Sequence, residues 1–231
     1  VAVDIHTGEQ LWEKTLGNNE RVAFGQTFYW DSYNYHGTFD YIWTSVSSGF
    51  FGPTTWKAYD AFTGDYLFSI EGIPSGSQVY GPKGEIYIYS LDSTAGTLSL
   101  WNSSRTVSSD GSWMGGFSAV GYTTYNASGG IEWTVPIPDG LPGSVLTAGF
   151  QDKLIGGSIS REEVTLWGLN LEEGDEGELL FEETWTAPSE WADAALDISY
   201  AASSLEDNVL VLRTKETRKY YAFSTETGNY L

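Results

Sequence analysis

The sequence predicts an all-β chain, a β-propeller of four-stranded antiparallel blades with about four blades plus a half blade, and three observations predict it. Aromatic residues make up 16% of the 231 positions and glycine fills 27 of them, the profile of many short strands joined by tight turns with little helix. One short phrase returns along the whole chain. Between its returns lie enough aromatic and β-branched segments for three strands and a returning fourth.

The phrase opens the chain as AVDIHTGEQLW (Ala2 to Trp12) and recurs as AYDAFTGDYLF (Ala58 to Phe68). Looser copies are TYNASGGIEW (Thr124 to Trp133), GLNLEEGDEGELLF (Gly168 to Phe181) and AFSTETGNYL (Ala222 to Leu231). In each, an apolar or aromatic residue precedes Asp4, Asp60, Asn126, Asn170 or Ser224, and a glycine follows four positions later at Gly8, Gly64, Gly130, Gly174 or Gly228. This is turn chemistry. The side-chain oxygen bonds to amides just ahead, and the glycine supplies a positive φ that closes a hairpin. An aromatic then enters the returning strand at Trp12, Phe68, Trp133 or Phe181, where it packs on a neighbouring sheet.

The glycines are spaced by 56, 66, 44 and 54 residues, one four-stranded unit per period with variable loops. The predicted blades are 17–73, 74–138 and 139–188, with 1–16 the end of a preceding blade and 189–231 a blade truncated in its last strand. A β-solenoid would need shorter, more uniform rungs, and a sandwich would not repeat one hairpin phrase. The chain begins and ends in the same phase of the repeat, so it is expected to be a segment of a larger ring, or else to need the remaining blades or a second copy for closure.

The pattern x-A-x-D-x-x-T-G-x-x-L-W, present as VAVDIHTGEQLW and KAYDAFTGDYLF, resembles the PQQ-like β-propeller repeat of the quinoprotein dehydrogenase superfamily. Two copies match closely and three are degenerate. The resemblance implies a propeller and leaves the activity open, because the family includes quinone-dependent dehydrogenases, an outer-membrane assembly lipoprotein that acts as a scaffold, and exported proteins of other kinds. Its dehydrogenases hold pyrroloquinoline quinone over calcium on the propeller axis, commonly beside a disulfide of adjacent cysteines. This chain has no cysteine, and none of its residues aligns with the calcium ligands or the catalytic base.

With 31 acidic against 11 basic residues the formal charge is -20, which excludes nucleic acid and anionic membrane surfaces as partners and fits a solvated, extracytoplasmic surface. The absence of cysteine excludes disulfides and thiolate chemistry. His6 and His36 are the sole imidazoles, and no apolar run reaches the length of a membrane span, so no membrane insertion by this segment is expected.

Several stretches invite a functional reading. The acidic run at Glu172, Glu173, Asp175, Glu176 and Glu178 lacks the alternating spacing of a calcium loop and reads as a solvated hairpin tip. SSDGSW (Ser108 to Trp113) is too short for the sialidase Asp-box it resembles. Asn102 and Asn126 head sequons that would accept glycan in an exported protein, with Asn102 the better candidate because turn chemistry already explains Asn126. The aromatic runs Phe28 to Trp43 and Ser47 to Trp56 read as core, except Phe50 and Phe51, which sit between glycines as candidate exposed ligand-loop aromatics. His36 reads as a turn or packing residue.

No catalytic signature emerges. The function expected is a non-catalytic PQQ-like propeller segment of a secreted or cell-surface protein, an interaction or ligand-binding scaffold whose face loops, including 47–55 and 103–121, contact a protein, small-molecule or glycan ligand. No cofactor is expected in that reading. The alternatives are a PQQ- and calcium-dependent oxidoreductase with cofactor residues partly outside this sequence, and a glycan-binding propeller.

Overall fold

The computed structural model describes residues 1–32, 35–47, 49, 52–108 and 124–231. In them the chain is all-β, with several antiparallel sheets laid down in chain order. β1 (Ala2–Val3) and β2 (Gln10–Trp12) form a first hairpin. β3 (Val22–Ser32), β4 (Tyr35–Ser47), β5 (Thr54–Asp60) and β6 (Tyr66–Ile73) form an antiparallel meander.

A third sheet takes β7 (Ser77–Tyr80), β8 (Ile86–Asp92), β9 (Thr97–Asn102) and, after the short helix α1 (Ser103–Ser108) and β10 (Thr124–Asn126), β11 (Ile131–Pro136), in the order β11-β9-β8-β7. β12 (Ser144–Ala148), β13 (Lys153–Ile159), β14 (Glu163–Asn170) and β15 (Leu179–Thr186) make the fourth sheet. After α2 (Ser189–Asp193), β16 (Ile198–Ser204), β17 (Val209–Thr214) and β18 (Tyr220–Ser224) make the last, where Tyr230 bridges back to Phe223.

One strand departs from the sequence reading. Thr124–Asn126 was expected to form a hairpin with the strand that follows it, but β10 instead pairs in parallel with β6, Tyr125 opposite Ile70, while β11 goes to β9. The physical reason is a vacant edge and an apolar anchor. Tyr125 is 5% exposed with its ring 5.5 Å from Phe68, and its strand covers backbone groups that β6 would otherwise leave unpaired.

The chain divides into two compact units, one of Val1–Gly76, Tyr80–Ile88 and Leu100–Trp133, the other of Ser77–Val79, Tyr89–Ser99 and Thr134–Leu231. The first has an aromatic core. Trp43 lies 5.9 Å from Trp56 and 5.6 Å from Phe68, and Trp56 lies 5.6 Å from Trp101. Two of these rings have their polar edges satisfied, since Trp43 Nε1 donates to Gln26 Oε1 at 2.9 Å and Trp101 Nε1 donates to the Ala127 carbonyl at 2.7 Å. A cavity of about 10 Å³ beside Gln26, Trp43 and Ser103 has room for a single water.

The second unit is built on aliphatic residues, Ile155, Val164, Leu166, Leu210 and Leu212, with Trp191 fully buried among Trp185 and Tyr221. Period-two burial places these groups: in β18 Tyr221 and Phe223 are buried while Tyr220 is 69% exposed. Gly156 lies against the Trp167 ring where a side chain would collide with it, and Trp167 Nε1 donates to the Pro142 carbonyl at 2.8 Å.

Candidate functional site

The recurrent phrase folds as a side-chain-capped turn. Asp4 Oδ1 accepts from the amides of His6 and Thr7 at 2.8 and 2.9 Å, and Asp60 Oδ1 accepts from Phe62 and Thr63 at 2.8 Å each. Asn126 Oδ1 accepts from Ser128 at 2.9 Å, Asn170 Oδ1 from Glu172 at 2.8 Å, and Ser224 Oγ from Glu226 and Thr227 at 3.2 and 3.3 Å. Gly8, Gly64 and Gly228 donate back to the carbonyls of Asp4, Asp60 and Ser224, with φ of 74°, 70° and 77°.

Two copies differ. Gly174 has φ of 99°, but the glycine that donates to the Asn170 carbonyl is Gly177, because three extra residues lengthen this turn. Gly130 has no positive φ and ends a 3-10 turn (Ala127–Gly130), packed under Trp101 and Thr106. A further copy that the sequence reading missed lies between β8 and β9, where Asp92 Oδ1 accepts from Thr94 and Ala95 at 2.9 Å and Gly96 has φ of 64°. Its D-x-x-x-G spacing was the available signal.

These turns are joined to what precedes them. A Cβ on Gly64 would stand 3.0 Å from the Trp12 ring, whose Nε1 donates to the Ala61 carbonyl at 3.2 Å. A Cβ on Gly228 would stand 2.8 Å from the Phe181 ring, and one on Gly177 would stand 2.9 Å from Val135. The returning strand of one phrase therefore covers the closing glycine of a later one, and only glycine allows that approach.

At the first of these junctions the packing leaves an open groove of about 420 Å³ within the first unit, lined by Thr15, Gly17, Lys57, Tyr59, Gly64, Asp65, Tyr66 and Ser69. β5 and β6 present Lys57, Tyr59, Tyr66 and Ser69, and Asp65 lies in the turn between them. Glu20 accepts from Lys57 Nζ at 2.5 Å and from Thr44 Oγ1 at 2.6 Å, with the Tyr59 hydroxyl at 3.5 Å. Gly17, at φ 48°, lies against the Glu20 carboxylate, which any side chain there would displace. At the rim Lys14 Nζ pairs with Asp65 at 2.6 Å, and the Tyr66 hydroxyl shares a 2.8 Å hydrogen bond with Ser69.

The ionised groups are committed to one another. Burial pushes the Glu20 carboxyl up, but the Lys57 and Thr44 hydrogen bonds and the Lys57 charge together outweigh it and hold it below its ordinary range. The hydrogen bond to Glu20 raises Lys57 against the opposing effect of burial, and burial followed by the Glu20 charge raises Tyr59. An ammonium held protonated is no nucleophile and a phenol held protonated is no base, so Lys57 and Tyr59 take neither role near neutrality.

The other candidates stand apart from it. Asn102 is 7% exposed, its Nδ2 donates to Glu132 at 2.5 Å and its Oδ1 caps the start of α1, so an attached glycan would have to break a buried network; the expectation of Asn102 as the better acceptor is corrected on that ground. Asn126 is exposed. The acidic run at 172–178 forms an exposed turn whose Glu176 carboxylate accepts from the Gly174 amide. Phe50, Phe51, Asp110 and Trp113 lie outside the described residues, as do Ser48 and residues 109–121 of the loops 47–55 and 103–121 expected to carry contacts, and the side chain of His36. Among the described residues no three acidic or imidazole side chains converge in a group that could hold a metal ion.

No protein-family model matches the chain, and no curated protein matches it. Among solved structures it is similar to the quinohemoprotein alcohol dehydrogenase ADHIIG from Pseudomonas putida HK5, at 13% identity and a TM-score of 0.37, over 83% of this chain and 32% of that one. It is also similar to the V. cholerae biofilm matrix protein Bap1, at 12% identity and a TM-score of 0.34, over 100% of this chain and 32% of that one. The chain thus spans about a third of the length of either neighbour. Among the described residues no helix is long and apolar enough to cross a membrane.

Proposed function

We propose that the chain is a segment of a PQQ-like β-propeller, from a secreted or cell-surface protein, that serves as a non-catalytic scaffold for binding a ligand or partner. In this reading its blades are 17–73, 74–138 and 139–188, with partial blades at either side. The observation that carries this reading is the chained junction: Trp12 over Gly64, Val135 over Gly177 and Phe181 over Gly228 fasten successive phrases by one device, as radially repeated blades require. A groove whose charged groups are neutralised in pairs supports binding over chemistry. The strongly acidic composition supports an exposed, solvated setting.

The test is a titration of the full chain with pyrroloquinoline quinone and saturating calcium, read by tryptophan fluorescence and by dye reduction with alcohol and aldose substrates. The scaffold reading expects neither calcium-dependent quenching nor reduction. Saturable quenching accompanied by reduction would replace it with an oxidoreductase.

A further inference from the structure

We infer that the groove between Thr15 and Ser69 is a binding site for a neutral saccharide unit. The inference rests on the ligand-binding reading above and adds the class of ligand and its place.

Size is the first constraint. About 420 Å³ falls within the range of small-molecule sites and is open enough to admit part of a longer chain.

Charge is the second. Two ionised groups line the groove, the Lys57 ammonium and the Asp65 carboxylate, and each is bonded to an opposite charge, Lys57 to Glu20 and Asp65 to Lys14. The groove is therefore neutral inside a chain of formal charge -20. A charged ligand of either sign meets like charge there as well as opposite charge, and an anionic one must also approach through the field of the whole molecule. Either would also have to compete with an existing ion pair. A polyol does not. An ammonium has three N–H donors and a carboxylate about four acceptor positions, so hydroxyl groups can bond to the outer side of both pairs without separating them.

The lining chemistry is the third. Thr15, Tyr66 and Ser69 add hydroxyls, and an apolar ligand would strand all of these polar groups dry. The Tyr66 ring, 44% exposed and braced edge-on by Tyr59 at 5.8 Å, is the aromatic surface on which the C–H face of a sugar ring rests. Its orientation is fixed in advance by the 2.8 Å bond to Ser69, and Lys57 is fixed by Glu20, so little ordering remains for the ligand to induce.

The experiment uses the full chain and saturation-transfer NMR with free neutral oligosaccharides of glucose, galactose, mannose and N-acetylglucosamine, alongside oligouronates and sulfate. At least one neutral probe is expected to saturate, with binding weakened about tenfold or more by Tyr66→Ala and several-fold by Asp65→Asn. Tyr200→Ala is the matched control, since Tyr200 makes the same 2.8 Å bond to a serine three positions on, at Ser203, and is not among the residues that line the groove. It should bind as the parent does. If Tyr66→Ala unfolds by circular dichroism, Asp65→Asn decides, because that side chain is 66% exposed and its loss does not open a core.

Absence of any neutral binder overturns the inference, as does preferential saturation of the oligouronates or sulfate, or neutral binding that neither groove variant weakens. Each of those results leaves the scaffold reading standing, which fails instead on calcium-dependent quinone quenching with reduction.

Discussion

The junction at Gly64 and the junction at Gly228 are the same device with different surroundings. In both, an aromatic from an earlier returning strand covers the closing glycine of a turn capped by Asp60 or Ser224. At Gly228 the space beyond is filled: Glu183 Cβ stands beside Phe181, and Tyr230 stacks on Trp185 at 4.9 Å. At Gly64 the neighbours beyond Trp12 are Lys14 and an open groove lined in part by Lys57, which is paired with Glu20. The repeat builds the joint, and what lies beside the joint differs from copy to copy.

The largest expected effect tests the pair of Glu20 and Lys57. Lys57→Met leaves the Glu20 carboxylate, 10% exposed, without its counter-charge and should cost about 2–3 kcal/mol, the lower side of what a buried pair loses because Lys57 is 27% exposed. Urea denaturation measures it, and a midpoint unchanged from the parent would mean the pair contributes nothing that the Gly228 joint lacks.

The two glycines themselves sharpen the comparison. Gly228→Ala should cost about 2 kcal/mol and Gly64→Ala about 1 kcal/mol, since both have positive φ but the added methyl meets the fixed Phe181 at one site and partly the flexible end of Lys14 at the other. Equal losses in thermal melts would break the distinction.

Acidity gives a third separation. Glu20 has a lowered value, so its contribution is present above its ordinary 4.5 and is lost as the pH falls through the lowered one. Lys57 is raised above 10.5, so its contribution is present below that and is lost as the pH rises through the raised value. The stability gap between the parent and Glu20→Gln should therefore be full near neutrality and close at both extremes, which a series of urea melts against pH would detect. The smallest effect belongs to the rim: Lys14→Gln breaks an exposed pair with Asp65 and should leave the midpoint unmoved at ordinary salt.

What the sequence disclosed and what it hid follow from the range of the interactions. The Asp60 turn is legible because its bonds run to residues two and three ahead, so the phrase contains its own partners. The exchange of Gly177 for Gly174 is less so, since the loop lengthened while the glycine at the old spacing remained. The parallel seat of Tyr125 on β6 depends on an edge more than fifty residues earlier, and no local pattern specifies it. The groove was hidden for the same reason. Glu20 lies in an unremarked GNNE loop, and only the tertiary fold brings it to Lys57, Thr44 and Tyr59. The buried place of Asn102 was equally unreadable, because a sequon records three residues and not the Glu132 that meets them.

The order of partners at the three joints has a consequence for biosynthesis. Trp12 precedes Gly64, Val135 precedes Gly177 and Phe181 precedes Gly228, so the covering side chain always leaves the ribosome before the glycine it covers. For the bond from Trp12 to Ala61 the lead is 49 residues, about 2–10 s of translation. Each new turn can close against a surface already made, and the nascent chain can acquire its structure from the amino end onward without waiting for its last residues.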